Sequence, residues 1–290
     1  MSMKIVVIGL GQMGGNMALT LKRAGFEVTG IDPNDQTRQL LSDQGLIVSS
    51  DTALPAADIY LLSLPTADHV RTVIETNSGL LEHAARGSVV MDTSTSDPVV
   101  SRELAQKIVN AGLEWLDAPV SGGPKGAATG QMGMLLGGES ATIERVTPVL
   151  EALSARYTHV GPAGSGHVVK LANNYLCATH LIATGEAVAM AARAGVDPAA
   201  CLAGLNSGSG RSAVSEVNFP EWILSERFDS GFTTGLMRKD LRLARDAAEQ
   251  LETPRALLNH VVERWHEARD IEDQDDFNRI ADALLATARK

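Results

Sequence analysis

The chain has 290 residues, 44% hydrophobic and 21% charged, with a formal charge of -10. Its mean hydropathy is zero, the balance of an ordinary globular protein, and its length exceeds a usual single core, so two domains are expected. The acidic excess and the lack of any Lys/Arg cluster exclude a nucleic-acid-binding chain, and no apolar run reaches about 18 residues, so no membrane span and no membrane partner are expected.

In chain order, the first residues run straight into an apolar strand and a glycine loop, which leaves no room for a leader. Short β-branched runs then alternate with helical stretches, the pattern of a parallel sheet covered by helices on both faces. Strands are predicted at 4–9, 27–32, 58–64, 88–92, 114–117, 132–136 and 156–159. Several are nearly continuous apolar runs, as strands buried on both faces are.

After Gly161-Pro162-Ala163-Gly164-Ser165-Gly166 the text becomes helical, with helices predicted at 167–194, 198–206, 219–226, 234–251, 254–270 and 275–289. The expected architecture is therefore α/β: a doubly wound, mostly parallel sheet over residues 1–162, followed by an all-α domain over 163–290. Cys177 and Cys201 stand in apolar helical text and read as buried thiols, so a reducing cytoplasm is the expected compartment. The helix at 167–194 is rich in alanine and apolar on most faces, which predicts that other helices or a second copy cover it, as a homodimer or homotetramer.

Gly9, Gly11 and Gly14 form GLGQMG directly after the first strand and at the start of a helix. In that setting the first glycine permits a tight turn, the second lets a pyrophosphate approach the backbone, and the third lets helix pack on strand. The helix N-terminus adds amide donors and positive dipole. The second strand ends at Asp32, where a carboxylate can accept from an adenosine ribose and would repel a 2′-phosphate, so NAD is expected over NADP. Arg38, the nearest downstream cation, lies several residues into the next helix and reads as part of a solvated face.

Six segments together carry a family resemblance: GLGQMGGNMA from Gly9, LSLP at 62–65, DTST at 92–95, DAPVSGG at 117–123, GHVVKLANN at 166–174 and MRKDLRLA at 237–244. The chain resembles the β-hydroxyacid dehydrogenases of the 3-hydroxyisobutyrate dehydrogenase family. The resemblance implies that Lys170 is the catalytic lysine and Asn174 a substrate-binding asparagine. It also implies that Ser121, Gly122 and Gly123 bind the substrate carboxylate. Gln12, Met13, Asp32, Leu64 with Pro65, Thr95 and Lys239 then stand at cofactor-contacting positions beside the glycines.

The residues themselves agree with those roles. Lys170 and Asn174 are four apart on a helix, so they share a face. Oxidising an alcohol by hydride loss requires a proton acceptor, and a shielded lysine is suited to that task. Thr95 also reads as a helix N-cap before Pro98, and Lys239 with Asp240 as a solvated pair. His167, His180 and Glu186 have no metal-ligand spacing, so no metal is expected. Ser63, Ser94 and Ser121 match no hydrolase elbow. The function expected is NAD-dependent interconversion of a small β-hydroxy acid and its semialdehyde. The alternatives are an NADP-dependent aldehyde-acid or imine reductase of the same superfamily, and a dinucleotide-sensing protein without turnover.

Overall fold

The computed structural model describes residues 3–50, 54–76 and 79–288. They form two compact units, Met1–Lys170 and Leu171–Lys290.

The first unit is built on a nine-stranded sheet. Its strands are β1 (Lys4–Ile8), β2 (Glu27–Ile31), β3 (Ile47–Ser49), β4 (Ile59–Leu62), β5 (Val89–Asp92), β6 (Glu114–Asp117), β7 (Val120–Ser121), β8 (Met132–Gly138) and β9 (Ser154–Gly161). They run in the order β3-β2-β1-β4-β5-β6-β8-β7, with β9 beside β8. The six strands from β3 to β6 are parallel, in the doubly wound order whose direction reverses between β1 and β4. β8 runs antiparallel to β6 and β7 and parallel to β9, so the sheet is mostly parallel, as expected. β3 and β7 were not foreseen: three and two residues are too short for an alternating pattern to register.

Helices α1 (Gln12–Arg23), α2 (Asp35–Ser42), α3 (Ala67–Glu75), α4 (Leu80–His83), α5 (Pro98–Asn110), α6 (Gly123–Thr129) and α7 (Ser140–Leu153) cover the sheet. In β1, Ile5 and Val7 join one core with Met17 and Leu21 of α1 and Val146 of α7. Val6 and Ile8 join the other core with Val70 of α3 and Leu104 of α5. Both faces of that strand are dry, which is why its text is apolar without alternation.

α8 (Ser165–Arg193) begins within the Gly161–Gly166 segment that follows β9, and the division between the units falls inside it, after Lys170. It is 29 residues long and, by length and composition, apolar enough to cross a membrane. Alanine raises its mean hydropathy between polar residues, so it passes that test without an unbroken apolar run, as a core helix also does. Its buried Leu171, Ala178, Leu181 and Val188 pack in the core of the second unit, where the fully buried Trp265 donates its indole N–H to the Ala178 carbonyl at 3.4 Å.

The second unit continues with α9 (Pro198–Asn206), a π-helical segment over Val214–Ile223, α10 (Thr234–Gln250), α11 (Ala256–Glu267) and α12 (Arg279–Ala288). The π segment replaces the helix expected at 219–226. Pro220 sits inside it and has no N–H to give to an i−4 carbonyl, so regular α-helix is broken there. Cys177 and Cys201 form no disulfide among the described residues and are half-buried rather than buried, at the edge of this core.

Candidate active site

The glycine loop lies between the C-terminal end of β1 and the start of α1. Gly9 has φ +89°, and a Cβ there would run into the Ser63 carbonyl at the end of β4. A Cβ on Gly14 would overlap the Gly9 carbonyl, so α1 approaches the strand more closely than any side chain permits. Around Gly11 an added Cβ meets no protein atom within 4 Å. As N-cap of α1, Gly11 offers no side-chain acceptor to the first-turn amides, which include those of Gln12, Met13 and Gly14. Those orphan donors and the positive end of the helix make this cradle fit a pyrophosphate. Gln12 is exposed and Met13 half-buried against the core.

Asp32 follows β2. Its Oδ2 accepts from the Leu10 amide at 2.7 Å and its Oδ1 from the Asn34 amide at 2.8 Å. The carboxylate is thus fixed at the mouth of the glycine loop, with lone pairs left for a ribose. Arg38 is not on a solvated face: its side chain is 17% exposed, and its guanidinium donates to the Asp32 carbonyl at 2.7 Å and pairs with Asp35. The helix turn carries it back over the strand end, a direction that sequence spacing alone did not indicate.

Leu64 and Pro65 follow β4, and Thr95 follows β5. The two connections are tied together, because the Leu64 amide donates to Ser94 Oγ at 3.0 Å and the Ser94 amide to Asp92 Oδ1 at 3.0 Å. Thr95 is not a helix N-cap, since Asp97 fills that role for α5 by accepting from the Val99 amide at 2.7 Å. All these residues stand at the C-terminal ends of parallel strands, beside the reversal point where such sheets hold ligands.

Ser121 ends β7, and its Oγ donates to the Gly133 carbonyl at 3.3 Å. Gly122 and Gly123 follow with φ +111° and +60°, consecutive left-handed conformations that turn the chain into α6 and that only glycine adopts without strain. Ser121 and Gly122 are exposed.

Lys170, 6% exposed, is the last residue of the first unit, and Asn174, 5% exposed, lies one turn further along α8. In the second unit Asn174 Nδ2 donates to Asp240 Oδ2 at 2.6 Å, and Asn173 Nδ2 donates to Asn174 Oδ1 at 3.1 Å. Lys239 Nζ lies 3.3 Å from Asp240 Oδ1. Asp240 is 1% exposed, so the Lys239–Asp240 pair is not a solvated face. Sequence reasoning gave Asp240 no part in the site and read it as solvated; its place inside MRKDLRLA, with apolar neighbours on the helical repeat, was the available signal.

Residues 4–161 match the family model for the NAD-binding domain of 6-phosphogluconate dehydrogenase, and residues 164–284 match the model for the NAD-binding of NADP-dependent 3-hydroxyisobutyrate dehydrogenase. The chain is 35% identical over 255 residues to the NAD-dependent L-serine dehydrogenase of Pseudomonas aeruginosa, covering 85% of each protein. It is also 35% identical to the 2-hydroxy-3-oxopropionate reductase of Escherichia coli, covering 86% of this chain and 85% of that one. The 3-hydroxyisobutyrate dehydrogenase of Mycobacterium tuberculosis, solved with L-serine, superposes with a TM-score of 0.90 at 30% identity, over 98% of this chain and 99% of that one. With the open glycine cradle, the acid at the end of β2, and a buried lysine one turn before a buried asparagine, these matches establish that the chain belongs to the β-hydroxyacid dehydrogenase family and carries its pyridine-nucleotide-binding domain.

Proposed function

We propose that the protein is an NAD-dependent dehydrogenase that interconverts a small β-hydroxy acid and its semialdehyde, with Lys170 as the proton-transfer group. The observation that carries this reading is the burial of Lys170 one helical turn before Asn174 in a chain of this family. A buried lysine is rare without a task.

When bound, the nicotinamide accepts or donates the hydride. The rest falls to the chain. In oxidation Lys170 Nζ takes the hydroxyl proton, and in reduction the ammonium returns it and stabilises the developing alkoxide. Asn174, its Nδ2 committed to Asp240 and its Oδ1 accepting from Asn173, keeps one Oδ1 lone pair for the reacting hydroxyl or the lysine. The backbone at Ser121, Gly122 and Gly123 takes the substrate carboxylate. Lys239 contacts the cofactor, as do Gln12, Met13, Leu64, Pro65 and Thr95. L-serine, 2-hydroxy-3-oxopropionate and 3-hydroxyisobutyrate, the compounds in the relatives' names, share a carboxylate on the carbon next to the one bearing the reacting oxygen. They differ in the substituent between, so the invariant contacts are assigned to Ser121–Gly123, Lys170 and Asn174, and the variable one to the loop at 206–212.

NAD is favoured by the Asp32 carboxylate, and Arg38, the cation nearest to it in sequence, is already engaged by Asp35 and the Asp32 carbonyl. Domain limits of 1–162 and 163–290, a cytoplasmic location and assembly into dimers or tetramers through α8 belong to the same reading. The test is a panel of 3-hydroxyisobutyrate, L-serine and glycerate with NAD, run on the wild type and Lys170→Ala. Lys170→Ala should bind NADH normally and lose about 10²- to 10⁴-fold in kcat. A folded variant keeping more than about a tenth of wild-type kcat sinks the assignment.

A further inference from the structure

Three ionisable residues of the first unit, Asp92, Asp117 and His167, are at most 1% exposed and have no part in the mechanism above. Asp92 and Asp117 are register partners at the C-terminal ends of β5 and β6. Asp117 points at the first turn of α8: its Oδ1 accepts from the Gly164 amide at 2.6 Å and its Oδ2 from the His167 amide at 3.2 Å. The imidazole of His167 lies with Nε2 3.4 Å from Asp92 Oδ2.

The room for this carboxylate is made by two glycines. A Cβ on Gly137 would lie 2.5 Å from Asp117 Oδ2, and one on Gly166 would lie 2.7 Å from the same oxygen and 2.5 Å from the Leu135 carbonyl. The first turn of α8 therefore sits directly on the acid. Burial pushes the Asp117 carboxyl above the usual carboxylate range, opposed by His167 and by the two amides it accepts from. A charge kept in such a place is held by the helix it faces, through charge-assisted bonds and the positive end of the dipole. Lys170 stands three residues after His167, on the neighbouring turn.

We infer that Asp117 is a positioning residue for Lys170. It seats the N-terminal turn of α8 on the end of β6, and the His167–Asp92 contact fixes how that turn is rotated, so that the lysine one turn on is presented in one orientation. The inference rests on the reading of Lys170 as the proton-transfer group.

The experiment compares Asp117→Asn, Gly166→Ala and Lys170→Ala in the full-length enzyme, with whichever of 3-hydroxyisobutyrate, L-serine and glycerate the wild type turns over fastest. NADH fluorescence titration counts the folded sites, and kcat is expressed per site. Asp117→Asn removes one acceptor from the pair of amides, and Gly166→Ala pushes the first turn off the acid without touching any charge. Both should lower kcat per site about 10- to 100-fold, the cost of misplacing a catalytic group by about 1 Å, with KM and NADH affinity nearly unchanged. A role in folding alone would reduce the number of sites and leave kcat per site intact, and that result overturns the proposal. If Asp117→Asn does not fold, Gly166→Ala decides. Should Lys170→Ala be inactive while both other variants keep wild-type kcat per site, the positioning role fails and the lysine assignment stands; an active Lys170→Ala removes the assignment itself.

Discussion

The Leu10 amide and the Asp32 carboxylate, 22 residues apart, share a 2.7 Å hydrogen bond, so the acid assigned to the ribose also closes the glycine loop. Two losses should follow from Asp32→Ala. The preference for NAD over NADP, expected to be at least about tenfold or roughly 1.4 kcal/mol, should narrow. Urea unfolding should show a loss of about 1–2 kcal/mol, because the Leu10 donor is left without its acceptor. Unchanged cofactor ratios of kcat/KM in this variant would refute the electrostatic account of selectivity.

The two loop glycines should separate fold from cofactor binding. Gly14→Ala forces a Cβ onto the Gly9 carbonyl and should cost about 1–3 kcal/mol or more, since backbone cannot rotate away as a side chain can. Gly11→Ala meets no protein atom and should melt like the wild type, yet bind NADH more weakly because its methyl enters the pyrophosphate approach. Thermal denaturation beside fluorescence titration checks both, and a Gly11→Ala enzyme with wild-type affinity would place the pyrophosphate elsewhere.

Asn174 and Asp240 form a buried pair at 2.6 Å. Replacing either one strands a polar partner, so each single alanine variant should be destabilised by about 1–3 kcal/mol. The double variant should be less destabilised than the sum, with a coupling of about 0.5–3 kcal/mol. Additive losses would show that the bond contributes nothing.

Asp117 makes a signed prediction in pH. Its carboxyl is raised in the folded state, mainly by burial, so the native protein holds a proton that the unfolded chain has already released. Stability contributed by this group is therefore greatest below the unfolded carboxylate value, near pH 3.9, and declines as pH rises through the window up to the raised folded value. The stability of the wild type relative to Asp117→Asn should fall as pH climbs through that window and then level off. A difference that grows with pH would mean that the amides and His167 outweigh burial.

Assembly is open to direct measurement. α8 leaves Leu176 51% and Met190 72% exposed, a pattern that a second copy would cover. Light scattering should return a dimer or tetramer of the 30.6 kDa chain, and Met190→Glu should weaken it. A 30.6 kDa species across micromolar concentrations removes the claim.

Much of the molecule was legible because it is local. The glycine cradle is a contiguous motif, Asp32 is placed by the length of one βαβ unit, and Lys170 with Asn174 is placed by the helical repeat. Five of the six parallel strands follow from alternating elements with apolar text, while β3 and β7 were too short to leave a pattern.

What the tertiary structure alone decided is which distant polar groups meet. Nothing in the spacing of 22, 66 or 47 residues links Leu10 to Asp32, Asn174 to Asp240, or Gly164 to Asp117. Nor does a helical position show that Arg38 turns back onto its own strand end. Sequence periodicity records which face of an element avoids water, whereas a hydrogen bond between elements depends on where the sheet order and helix packing bring their ends. The chain declares its family and the groups proposed to react in its motifs, and the fold supplies the partners that hold those groups in place.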